Sequence, residues 1–278
     1  MCFHHRPEVH SRMAETLVHR RGDELSTHDW ENFIDDVAAM HVRHISFHGG
    51  EPLMRPDFCR LAAYAHKKGL HTSTFTNATL ISDAMARDMV QHLDEVGVSI
   101  HGLAQTHDAI TGIPGSFDRA MAGLVQLCDA RRNGSHSVPA IHLTCVASAL
   151  NHDRLDEMVQ VAQQAELDQF DIGLVTFATQ RAMDESVRKM EGIPSNGTSY
   201  LGDSILDKSL LDVDPAKYQA AIDRTREKSL RAGIRVSFFP FRSEQDVALM
   251  FSDMGFAAAQ QCHYPWLSSA ITAYGDVC

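Results

Sequence analysis

Apolar and polar positions along the chain alternate between a helical rhythm and short strand-like runs. Trp30, Phe33, Ile34, Val37 and Met40 recur at helical spacing, and Thr27 can cap that helix, with Asp29 and Glu31 in its first turn. A strand is predicted over 44–48, a helix over 57–68 and, past Gly69, a strand over 71–76. The same reading gives helices over 83–93 and 117–131 and strands over 95–100, 140–147 and 170–176. Asn151 is read as the cap of a helix carrying Leu155, Met158, Val159 and Ala162, and a last helix over 215–232 precedes a sixth strand over 234–239. Strand–helix units of roughly 25–45 residues imply parallel strands joined by right-handed crossovers. The expected class is α/β, with a partial (β/α)6-type barrel as the economical architecture. A doubly wound open sheet is the alternative, and periodicity alone does not separate the two. The stretch 181–214 contains Gly-Ile-Pro-Ser-Asn-Gly and breaks the rhythm; it reads as a loop at the barrel mouth.

Composition narrows the function classes. Apolar residues make up 44% and charged residues 22% of the 278 residues, as in ordinary globular proteins. A formal net charge of −11 argues against a grip on the phosphate backbone of nucleic acid. There is no apolar run of about 18 residues and no apolar stretch at the N-terminus, so neither a membrane span nor a secretory signal is expected. A cytoplasmic, reducing location follows, where six cysteines are thiols or metal ligands rather than disulfides. Cys59, Cys128 and Cys145 lie inside periodic segments and read as small core residues, whereas Cys2, Cys262 and Cys278 lie near the ends.

In parallel α/β folds the loops after the strand C-termini hold the ligand. Those loops supply Gly49, Gly50, Glu51 and Pro52 after the first clear strand, then Thr76 and Asn77, then Ser99, His101 and Gly102, with Thr144 and Ser148 at the end of the next. Two glycines allow a ligand close to the backbone, and a carboxylate accepts from an ammonium group. Singly, each has a plain reading as a turn, a solvated acid or a cap. Together they fall on one rim.

These residues carry a resemblance. Gly49-Gly50-Glu51-Pro52-Leu53 resembles the motif by which radical S-adenosylmethionine (SAM) enzymes hold the methionine amino group of SAM. Thr76-Asn77, Ser99-Ile100-His101-Gly102 and 107–117 are similar to later strands and loops of the same family, over residues 1–240 in all. The resemblance implies that Ser99 approaches the SAM ribose or carboxylate. Many relatives carry arginine at the position of Thr111, and others aspartate at that of His101. Cys2, followed by Phe3-His4, resembles the third thiolate of Cys-x3-Cys-x2-Cys, which binds a [4Fe–4S] cluster with one iron left for SAM. The other two would lie upstream of Met1, so the barrel is expected to lack its first strand and this chain by itself not to cleave SAM. Cys262-His263-Tyr264-Pro265-Trp266, with Gly275-Asp276-Val277-Cys278, resembles the opening of a SPASM or twitch domain holding an auxiliary iron–sulfur cluster, over 241–278.

The family likeness implies reductive cleavage of SAM to a 5′-deoxyadenosyl radical and hydrogen abstraction from a peptide or small-molecule substrate, with flavodoxin or ferredoxin as electron donor. Peptide maturation is the expected type of activity with such an extension, and no residue is singled out as catalytic. Two rivals are a SAM-fold binding protein without a complete cluster and an unrelated barrel enzyme such as an aldolase. The last would need a lysine or a metal site at the strand ends, where no lysine is found.

Overall fold

The computed structural model describes residues 22–134, 139–174, 188, 212–239 and 268–275. In chain order the elements are α1 (Thr27–Ala39), β1 (His44–Phe47), a 3-10 turn (Pro52–Met54), α2 (Phe58–Lys67), β2 (His71–Thr76), α3 (Asp83–His92) and β3 (Glu95–Ser99). They continue with α4 (Ala104–Thr111), α5 (Ser116–Asn133), β4 (Ala140–Ala147), α6 (Glu157–Gln164), β5 (Gln169–Leu174), α7 (Pro215–Ala232) and β6 (Arg235–Phe239). Every predicted strand is present. Two caps differ from expectation. Ser26, not Thr27, caps α1: its hydroxyl accepts from Asp29 N while the Asp29 carboxylate accepts from Ser26 N. The helix assigned to Asn151 begins later, at Glu157, because the Asn151 side chain is committed elsewhere. Helix α4 was not foreseen.

All six strands pair in parallel, in the order β1-β2-β3-β4-β5-β6. A doubly wound sheet reverses its strand order at a switch point. This one never reverses, so crossovers of one hand place every helix on one face. That is the winding of a partial barrel.

Burial along the strands confirms a one-sided arrangement. Thr72, Thr74 and Thr76 of β2, Val96 and Val98 of β3, Ile141, Leu143, Cys145 and Ala147 of β4, and Phe170, Ile172 and Leu174 of β5 are all buried. The apolar ones among them pack with Leu124, Leu127, Met158 and Ile222 from the helices, and with Leu93 at the end of α3, in one core. Among the alternate positions Phe75, Glu95, Ser99, Thr144, Asp171 and Gly173 are only partly buried and Ser237 is exposed, whereas Ser73, Gly97 and His142 are buried. A fully covered parallel sheet reads as continuous apolar runs. Here the alternate face of the central strands carries mainly polar or small residues, several of them partly open, as the lining of a barrel interior requires. No helix among the described residues is long and apolar enough to cross a membrane.

Candidate active site at the strand C-termini

The predicted rim is assembled around one carboxylate. Glu51 caps the 3-10 turn by accepting from Leu53 N at 3.1 Å on Oε1. The same oxygen accepts from the Thr76 hydroxyl at 2.6 Å, and Oε2 accepts from Asn77 N at 2.8 Å. The reading of Glu51 as a merely solvated acid is therefore wrong: it bolts the loop after β1 to the end of β2. Two carboxylate oxygens offer about four acceptor sites, and three donors fill all but one. Beside it Gly49 and Gly50 are exposed, and a Cβ on either would meet nothing within 4 Å. This is space in which a ligand can reach the backbone. Pro52 starts the 3-10 turn, where its missing N–H costs nothing.

Thr76 supports the rim from beneath. Its hydroxyl donates to Glu51 and accepts from Ala78 N at 3.0 Å. Asn77 Oδ1 accepts from the N and hydroxyl of Thr79, at 2.9 and 2.7 Å. Ser99 ends β3 half-buried on the open face, in register with Thr144. The Thr144 hydroxyl is shielded from solvent and has no hydrogen-bond partner among the described residues.

His101 sits differently from the other predicted residues. It is 3% exposed and stacked on His107, with ring centroids 5.6 Å apart. Its Nδ1 accepts from Val146 N, and its own backbone N–H donates to His107 Nδ1. Burial, above the effect of neighbouring charge, holds the His101 imidazole well below its ordinary range and brings His107 to about 4. Neutral rings accepting backbone N–H groups make this pair a brace behind the rim. Asn151 completes the brace: its amide donates to the carbonyls of His101 and Val146, both at 3.0 Å, and accepts from Ser148 N. In the segment similar to the family at 107–117, the Asp108 carboxylate accepts from Gly115 N, Phe117 N and the Ser116 hydroxyl. Thr111 lies between Asp108 O and Ser116.

Cys2, Cys262 and Cys278 lie outside the described residues, as does most of the loop predicted over 181–214. Among the described residues no three His, Cys, Asp or Glu side chains are placed to hold a metal ion. The three described cysteines are thiols by environment: burial, then Asp88, pushes Cys59 up to about 11, burial, then Glu157, pushes Cys145 up to about 12, and burial raises Cys128. Cys145 points to the helix-packed face. None of the three substitutes for a cluster ligand.

The sequence pattern of the radical SAM superfamily matches residues 4–142, which hold the Glu51 rim and its bracing histidines. The chain belongs to that superfamily. The cofactors of radical SAM proteins are SAM and a [4Fe–4S] cluster. The rim fits the first, with one acceptor site left on Glu51 and open space at the two glycines. Ligands for the second are not among the described residues. This radical SAM chain is 45% identical over 103 residues to the Fe-coproporphyrin III synthase of Methanosarcina barkeri, covering 37% of the chain and 26% of that protein. It is 29% identical over 157 residues to the PqqA peptide cyclase of Rhizobium meliloti, covering 56% and 40%. The chain thus spans well under half the length of these curated relatives. Its fold is similar to that of Streptococcus suis SuiB, with a TM-score of 0.61 at 14% identity over 89% of the chain and 52% of that protein.

Proposed function

We propose that this chain is the SAM-binding part of a radical SAM enzyme that acts on a peptide. The carrying observation is Glu51, held by Thr76, Asn77 and Leu53 N with one acceptor site free beside two open glycines. That site suits the methionine ammonium of SAM, with the Gly49–Gly50 backbone alongside and Ser99 toward the ribose. When bound, the cluster and SAM together supply a 5′-deoxyadenosyl radical that removes a hydrogen atom from the substrate. The protein's own part is positional. Glu51 and Asn77 orient the cofactor, the His101–His107–Asn151 brace keeps the rim rigid, and the barrel interior shields the radical from water. Cys2 is the cluster ligand in this reading. Residues 241–278 open a second domain, with Cys262 and Cys278 as auxiliary cluster ligands. The turn in which Gly275 N donates to Thr272 O, with Gly275 at φ +85°, supports a hairpin there. Peptide substrates are favoured by the likeness to the PqqA peptide cyclase.

Calorimetric titration with SAM tests the site. Wild type is expected to bind, and Glu51→Ala to bind at least about tenfold more weakly, the equivalent of one charge-assisted contact. Unchanged affinity in that variant would remove the rim from the mechanism. Release of 5′-deoxyadenosine after anaerobic reconstitution, in protein carrying the two further cysteines that the family motif calls for, tests the chemistry. SAM binding without release would leave only the binding-protein reading.

A further inference from the structure

The segment 268–275 is seated against the chain that leads into α1. Leu25 N donates to Ala273 O at 2.9 Å, and Gly275 N closes a turn on Thr272 O at 3.1 Å. Gly275 has φ +85°, and a Cβ there would lie 3.4 Å from Leu25 Cδ1. The turn therefore rests on both the backbone and the side chain of Leu25.

Leu25 is held from its other side by the rim loop. Its carbonyl accepts from Arg55 Nη2 at 3.0 Å. The same guanidinium grips Asp57, with Nε 2.7 Å from Oδ1 and Nη2 3.0 Å from Oδ2, and Glu24 Oε2 lies 3.7 Å from Nη1. A planar fork suits such pairing, which a lysine cannot reproduce. Asp57 occupies the N-cap position of α2, where an aspartate ordinarily accepts from the first turn of its own helix. Here it makes no such cap: its oxygens go to Arg55 and to the Thr27 hydroxyl of α1, which donates at 2.5 Å. The carboxylate serves the guanidinium rather than the helix.

Arg55 also ends the 3-10 turn that Glu51 caps. Arg55 N donates to Pro52 O and Met54 N to Glu51 O, both at 3.1 Å, and Glu51 Oε1 accepts from Leu53 N. A short path of hydrogen bonds thus runs from Ala273 through Leu25 and Arg55 to the turn that carries the Glu51 carboxylate. Arg60 offers a contrast: it joins α2 to α1 through Glu31, at 2.8 Å, by a bridge that does not involve the rim turn.

We propose that Arg55 is a positioning residue that couples the seating of segment 268–275 to SAM binding at Glu51. This rests on the rim reading above. By linkage the coupling is reciprocal: a seated segment raises SAM affinity, and bound SAM tightens the seat by the same factor. If residues 241–278 open a second domain, SAM is then held best when that domain is in place.

Calorimetric SAM titration of the intact chain, with amide exchange at Leu25 followed by NMR, tests the coupling. R55M should weaken SAM binding about fivefold or more, the lower end of ordinary coupling. G275V puts a branched side chain at positive φ against Leu25, and should do the same without altering the barrel. The two together should lose no more than about twofold beyond the stronger single variant, since both cut one path. The R60M control should stay within about twofold, as expected of an exposed ion pair. Saturating SAM should slow exchange at Leu25 about fivefold in wild type, and should not in R55M. Unchanged SAM affinity in R55M, multiplied losses in the double variant, equal loss in R60M, or exchange at Leu25 indifferent to SAM would each overturn the proposal. Should R55M misfold by circular dichroism, R55K decides: it keeps a charge beside Asp57 without the fork, and wild-type SAM affinity in it overturns the coupling. Wild type that binds no SAM sinks the rim reading and this proposal together. Binding that Glu51→Ala loses and R55M keeps overturns this proposal alone.

Discussion

Two buried imidazoles brace the rim by accepting backbone N–H groups. His101 and His107 each use Nδ1 to accept a backbone N–H, which protonation would abolish, and both are nearly solvent-free. Burial is the main cause that lowers both. In the unfolded chain such groups bind protons near pH 6.5, while folded His107 resists until about 4. Between those values the unfolded state holds more protons, so stability rises with pH and is lost as pH falls through 6.5. Denaturation midpoints should therefore drop between pH 7 and pH 5. His107→Asn keeps an acceptor and removes the titration, and should flatten the slope by up to about 1.4 kcal/mol per pH unit, the weight of one proton. An unchanged slope would mean that other groups set the acid limit. At this scale the sequence was legible in kind more often than in role. Glu51, Thr76 and Asn77 were readable from their loop positions. Asn151 reads in the sequence as a helix cap because its local neighbours look like a helix start, whereas its side chain turns back to Ser148 and Val146 just before it and to His101 fifty residues earlier. The pairing of His142 with Glu95 and Asp171 is not legible in the sequence because the three lie on separate strands, and only register brings them together.

Helix α5 shows how an element can be tuned by one absent methyl group. Gly123 sits mid-helix and buried, and a Cβ there would lie 2.0 Å from the Ala78 carbonyl oxygen. That carbonyl belongs to the turn just after Asn77, and Ala78 itself is held at φ +60°. Glycine to alanine in a helix interior normally stabilises by up to about 1 kcal/mol. Here the backbone contact should reverse the sign, and Gly123→Ala should cost about 1–3 kcal/mol, the usual range for overpacking. Because the displaced atoms adjoin Asn77, SAM affinity should fall with it. Chemical denaturation and SAM titration of one variant check both outcomes. Helix α4 was absent from the predicted elements for a related reason. Its N-cap, Leu103, makes no side-chain cap; its backbone N–H is instead satisfied by Glu157 from α6, 54 residues on. No local signal announces such a start.

Across the whole molecule, the alternation of strands and helices was readable because each strand buries only one face and each helix only one stripe. What periodicity could not supply was the strand order, which decides between barrel-type and doubly wound architecture and depends on contacts far apart in sequence. The observed order also predicts a gradient of protection. Strands β2 to β5 each have neighbours on both sides, while β1 and β6 each have one among the described residues. Amide hydrogen exchange should be slowest in β3 and β4, beneath the Leu124–Leu127–Met158 core, and fastest in β1 and β6. Uniform protection across the six strands would contradict that gradient.

A sheet whose spatial order repeats its chain order has a temporal meaning as well. As the polypeptide leaves the ribosome, each new strand finds its only required neighbour already made, one helix earlier. No strand has to wait for a distant partner, and none must be inserted between two that have already paired. Assembly can proceed as growth at one edge, with the rim loops after β1 and β2 in place before β5 and β6 pair. In this protein the order of synthesis and the order of the strands across the sheet are the same.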